Sequence, residues 1–160
     1  SKVTLPQLAA RFGREYQPSE PIPYIFDREV AWRHATLRGE MSVPDAMVEL
    51  NITQWVGPSV QFAAGDVSTG AHPHFHGHAW NMLVEGTKHW YLLRPEKAYF
   101  QVITARELFA ELGANLPGNV SVGDLRLGVQ EQGDVVYVPR MWGHAVLNLH
   151  KPSIAVAVEI

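Results

Sequence analysis

Apolar residues alternate with polar ones, or run unbroken over strand lengths, through the second half of the chain. LRLGVQE (125–131), DVVYVP (134–139), HAVLNL (144–149) and SIAVAVE (153–159) lie close together. They predict four short strands. Upstream, WNMLVEGTKHWYLLRP (80–95) reads as strand, Glu-Gly turn, strand. VQFAA (60–64) precedes the turn-rich GDVSTG, and YIFD (24–27) reads as a first strand. Helical spacing is rarer. LPQLAARFG (5–13) spaces its apolar residues for a short helix stopped by Gly13, and a second short helix is expected over 44–52. TARELFAELG (104–113) is the clearest helix. Thr104 is placed to cap it, Glu107 holds the capping-box position, and Gly113 ends it. Many short strands with Gly and Pro turns, and helices mostly outside them, predict a mostly β sandwich or barrel with a few peripheral helices.

Length and composition keep the picture simple. With 160 residues, 46% hydrophobic and 18% charged, the chain fits one globular domain over 1–160. No linker or repeat divides it. A net charge of −3 with scattered Lys and Arg predicts no nucleic-acid partner. The apolar stretches have strand length, so no membrane span is expected, and no signal peptide is visible. The absence of cysteine removes thiolate ligands, disulfides and cysteine nucleophiles. It is compatible with cytoplasm or nucleus.

The segment GAHPHFHGHAWN (70–81) changes the picture. Four of the eight histidines, His72, His74, His76 and His78, stand at alternate positions. On a strand, alternate residues share a face. Several imidazoles facing a core are costly unless something binds them, and neutral imidazole suits Zn, Cu, Fe and Ni. The plain alternative is a solvated strand edge. A metal needs a third ligand, and GDVVYVPRMWGHAVLN (133–148) offers His144 at the start of a strand.

That segment is similar to the second cupin motif, G-x5-P-x-G-x2-H-x3-N. Gly133, Pro139, His144 and Asn148 fall in register, and Met141 stands where the motif has its middle glycine. Together with YIFD and WNMLVEGTKHWYLLRP, it resembles the JmjC branch of the cupin superfamily, of the small hydroxylase-like kind, over about residues 22–159. The resemblance implies a double-stranded β-helix whose mouth holds Fe(II), with 2-oxoglutarate as co-substrate and O2 as oxidant. The usual ligands are His-x-Asp/Glu and a distant His; this chain has no carboxylate there. Two registers compete, His72 with His74 and His74 with His76. The second fits HFHGHAWN without a gap. The implied ligands are therefore His74, His76 and His144, with His72 as the alternative. His78 would sit beside them.

Lys88 lies in KHWYLL on the face it shares with Trp90 and Leu92. An inward lysine there needs an anionic partner; the ordinary alternative is solvent near a hairpin turn. The resemblance places Lys88 on the distal carboxylate of 2-oxoglutarate, with Asn81 lining the same pocket. Where related chains offer a threonine on the last strand, this one has Ala157. Asn148, Trp80, Trp142 and Tyr137 read as structural. Three functions stay open. The first is an Fe(II)- and 2-oxoglutarate-dependent hydroxylase acting on a protein or peptide side chain. The second is a catalytically silent JmjC-like module that binds metal or a protein. The third is a three-histidine cupin dioxygenase acting on a small molecule, against which Lys88 argues. Zn or Ni could replace Fe(II) in a purified sample, and a homodimer is one expectation.

Overall fold

In a computed structural model, residues 5–17, 20, 22–29, 33–36, 45–49, 60–150 and 152–159 are described. The elements are α1 (Leu5–Ala9), β1 (Tyr24–Asp27), α2 (Asp45–Glu49), β2 (Val60–Gly65), β3 (Gly70–His74), β4 (Ala79–Glu85), β5 (Thr87–Leu93), α3 (Ala105–Ala110), β6 (Arg126–Glu131), β7 (Val135–Val138), β8 (Gly143–Asn148) and β9 (Ser153–Glu159). Every strand expected from the apolar pattern is present. α1 is shorter than the pattern suggested, and residues 44 and 50–52 of the second expected helix lie outside the described residues. α3 has the expected Thr104 and Glu107 capping box, but it ends at Ala110, with Glu111 as its C-cap, rather than running to Gly113.

The strands form two antiparallel sheets. The larger has the order β1-β2-β9-β4-β7 and the smaller β3-β8-β5-β6. From β2 to β5 and again from β6 to β9, successive strands alternate between the two sheets, the pattern of a double-stranded β-helix. Strand alternation sorts the faces. Val136 and Val138 of the large sheet pack with Trp90 and Val146 of the small one, so these residues mark the interior. Trp80, Val60, Val156 and Val158 form a separate cluster on the outer face of the large sheet, with Tyr137 against it. Tyr91, Leu93 and Ala145 face the other way from the small sheet, onto Leu108 of α3 and onto Val120 and Leu125. Trp80, Trp142 and Tyr137 are thus packing residues, as expected.

Two details bring the histidine-bearing strands together. A side chain at Gly70 would meet the Val146 carbonyl oxygen at 1.9 Å, so only glycine lets β3 lie this close to β8. The register then slips between Ala71 and His74, and His74 pairs directly with His144.

Candidate metal centre

β3 ends at His74. The four alternating imidazoles therefore do not share one strand face. His76 belongs to the connection beyond β3, whose chain turns back toward β8. One ring nitrogen from each of His74, His76 and His144 lies within 4.8 Å of the other two. Ring centroids are 4.1 Å apart for His74–His144, 4.7 Å for His76–His144 and 5.3 Å for His74–His76. Three nitrogens bound at about 2.1 Å to one ion would stand 3–4 Å apart, so small ring rotations close the set.

The hydrogen bonds prepare the rings for this. His74 Nδ1 meets the His72 carbonyl at 2.7 Å, His76 Nδ1 the Gly77 carbonyl at 3.0 Å, and His144 Nδ1 the Trp142 carbonyl at 3.1 Å. A carbonyl only accepts, so each Nδ1 carries the proton. Each Nε2 lone pair is left free, the tautomer a metal ligand needs. Burial lowers the pKa of His144 to about 3, with the neighbouring His74 and His76 adding to the effect. Burial also lowers that of His74. Imidazoles tied at Nδ1 and crowded at the other nitrogen fit a divalent ion.

The loop before β8 supports two of the three rings. Trp142 N–H donates to the Pro139 carbonyl at 3.1 Å, closing a turn, and Met141 N–H donates to the His76 carbonyl at 2.8 Å. The same turn presents the Trp142 carbonyl to His144. Met141 keeps the left-handed backbone of the glycine it replaces, with φ 63°. That conformation costs a side-chain-bearing residue about 1 kcal/mol or more. Met141→Gly is expected to raise the thermal midpoint by about 2–4 °C, the shift that ~1 kcal/mol produces in a chain of this size. Calorimetry on the metal-free protein checks this.

His72 and His78 stand apart from the cluster. His72 is exposed, with its ring 5.8 Å from His74 and edge-on to Phe100 at 5.1 Å. His78 Nδ1 accepts from Tyr137 Oη at 2.6 Å and from Arg140 N–H at 3.3 Å, and its ring lies parallel to Tyr137. The Tyr137 hydroxyl is thereby held at the outer face.

Deeper in the barrel lies a second polar group. Lys88 is 4% exposed. It pairs with Asn148 on one side and Gln130 on the other, on the interior face with Trp90. Burial lowers the pKa of its ammonium to about 8. Burial is the one cause of that shift, and among the described residues no hydrogen bond or ion pair reaches the ammonium. The buried Oδ1 atoms of Asn81 and Asn148 also lack partners. Asn148 spends its Nδ2 on the Thr69 hydroxyl at 2.9 Å rather than on strand-edge backbone. Asn81 lies one inward position deeper than Ala79, beside Ala157, so no hydroxyl is offered there. Gln130 is 1% exposed and went unnoticed in the sequence. It accepts from Trp90 Nε1 at 2.9 Å and donates to the carbonyls of Asn81 and Asp134, joining the two sheets. Trp90 lies over His144 at 6.0 Å and 25°, so this bridge also steadies a ring of the cluster. An isolated glutamine in a strand gives no signal for such a role.

No helix among the described residues is long and apolar enough to cross a membrane.

No family model matches the chain. A stretch of 94 residues, 58% of this chain, is 31% identical to JmjC domain-containing protein 8 of Mus musculus and 28% identical to that of Homo sapiens. It covers 34% of those proteins, so the chain spans about a third of the length of the curated relatives it matches. Solved structures of similar shape include Drosophila melanogaster CENP-C bound to CAL1, with a TM-score of 0.45 and 10% identity over 68% of this chain and 70% of that one. Another is hydroxypropylphosphonic acid epoxidase from S. wedmorenis in complex with fosfomycin, with a TM-score of 0.40 and 15% identity over 64% of this chain and 44% of that one. These two likenesses are too distant to bear on chemistry. The two sheets have the strand order of a double-stranded β-helix, and the matched 94-residue stretch makes this chain similar to JmjC domain-containing proteins.

Proposed function

We propose that this chain is an Fe(II)- and 2-oxoglutarate-dependent oxygenase that hydroxylates a side chain of a protein or peptide. The observation that carries this reading is Lys88, a buried ammonium on the interior face with no partner among the described residues, in the same barrel as a three-imidazole cluster. A neutral ligand or a bare structural ion gives no reason to keep that charge out of water. A dicarboxylate does.

His74, His76 and His144 would hold the ion through Nε2. Bound there with its co-substrate, Fe(II) supplies O2 activation coupled to oxidative decarboxylation of 2-oxoglutarate. Lys88 lies four residues along β5 from Leu92, the partner of His144, or about 14 Å at a strand's rise. Lys88 pairs the far carboxylate. Asn81 lies between the two levels, and its amide can present either end to a ligand. Trp90, packed between His144 and Val138, excludes water from the space between.

A second reading, a silent metal-binding or protein-docking module, draws on the lack of a carboxylate in the cluster. Tag-free protein loaded anaerobically with Fe(II) and given 2-oxoglutarate and air separates the two. Succinate release that disappears in Lys88→Ala supports the oxygenase. Metal bound with no succinate, or succinate release unchanged in Lys88→Ala, overturns it.

A further inference from the structure

Three neutral imidazoles leave both charges of a divalent ion uncompensated. The H-x-H pattern has no acid, but the last strand carries one to the same mouth. Glu159 pairs with Ala79 of β4, and Ala79 pairs with Val138 of β7. Directly paired residues point the same way, and Val138 packs against Trp90 and Val146 of the small sheet. The Glu159 carboxylate therefore lies on the interior face, at the end of the barrel where Ala79 follows the histidine loop. The facing sheets of a sandwich stand about 10 Å apart. The Glu159 oxygens stand outside the 4.8 Å group of imidazole nitrogens, so binding an ion would turn the glutamate arm from Arg28 toward the rings.

The side chain of Glu159 is 28% exposed and meets Arg28 at 3.2 Å, with the arginine side chain 60% exposed. Such a solvated pair is weak, worth about 0–1 kcal/mol, and is readily exchanged for a better cation. The negative charge of Glu159 also reaches His74, where it favours the protonated ring against the larger opposing effect of burial.

We propose that Glu159 is the carboxylate of the metal centre, leaving Arg28 to bind the ion from the last strand of the barrel. This rests on the reading of His74, His76 and His144 as ligands. It makes the centre three imidazoles and one acid, with the acid contributed by β9 rather than by the histidine loop. Arg28 competes with the ion for the same oxygens.

Co(II) titration of the metal-free chain, followed by its visible absorption and by calorimetry, tests this. Glu159→Gln keeps shape and removes charge. It is expected to weaken Co(II) binding about tenfold or more and to alter the bound-ion spectrum, with Glu159→Asp recovering part of the loss. Arg28→Gln leaves the carboxylate in place and is expected to tighten binding several-fold. The metal-free melting temperatures should stay at the parent value. Unchanged affinity and spectrum in Glu159→Gln, beside lost binding in His144→Ala, overturn the role of Glu159 while the histidine ligands stand. A parent chain that takes up no Co(II) overturns both. If Glu159→Gln lowers the metal-free melting temperature, Arg28→Gln decides: tighter binding supports the assignment, and equal or weaker binding overturns it.

Discussion

Lys88→Met is expected to make the metal-free protein more stable at pH 7 by about 3 kcal/mol, while removing its response to 2-oxoglutarate. The reasoning starts from burial. An ammonium whose pKa falls from 10.5 to about 8 on folding is penalised by about 3 kcal/mol wherever both states are protonated. Methionine fills a similar volume without the charge. The pH dependence identifies the cause. Below pH 8 the cost is complete. Between pH 8 and 10.5 the folded protein releases its proton before the unfolded chain does, so parent stability rises with pH. The advantage of Lys88→Met closes over that window. Urea unfolding at pH 7 and pH 10.5 measures both ends. An equal difference at the two pH values would show that the ammonium is not what is penalised. In metal-loaded protein, 2-oxoglutarate at a hundred times its dissociation constant should stabilise the parent by about 2.7 kcal/mol and leave Lys88→Met unmoved. A residue that destabilises its own fold until a ligand arrives is the expected mark of a binding site.

His144→Ala, alone or with His74→Ala, should abolish stoichiometric metal binding, measured as metal content by mass spectrometry after equilibration with Fe(II) or Co(II). His144 is the best placed of the three, 4% exposed and directly paired with His74 across β3 and β8. Metal content unchanged in the double variant would end every metal-centred reading. The same substitution should blunt acid unfolding. In the parent, the unfolded chain takes up a proton at His144 near pH 6.5, and the folded one resists until about pH 3. Stability is complete above pH 6.5 and falls as pH drops through that span, by up to about 5 kcal/mol. Without the ring, that share of the acid sensitivity goes. A bound ion should do the opposite and steepen the acid sensitivity of the parent, because the imidazoles must stay deprotonated to hold it.

Much of the site was legible because its signals are local. The period-two apolar runs mark strands, and G-x5-P-x-M-x2-H-x3-N fixes His144 at the start of one of them. Lys88 stood out because its strand neighbours are apolar. What proved misleading was also local. HPHFHGH suggests one face with four imidazoles, yet β3 stops at His74 and the chain turns, so His76 arrives from a loop and His72 points to solvent. Sequence spacing offers no means of seeing a strand end inside an alternating run, since the competing backbone partners are distant.

By itself, the sequence determined the β class, the strand set, the capping box at Thr104 and Glu107, and the short list of side chains with ligand chemistry. These depend on periodicity and on residue type, which neighbours along the chain decide. Only the tertiary structure decided which three histidines converge and why their Nε2 atoms are free. It also decided that Lys88 has no partner among the described residues, that Gln130 joins the sheets, and that Glu159 lies on the interior face of β9. Each of these is a relation between strands far apart in sequence, set by register, by the slip between Ala71 and His74, and by the close approach that Gly70 allows.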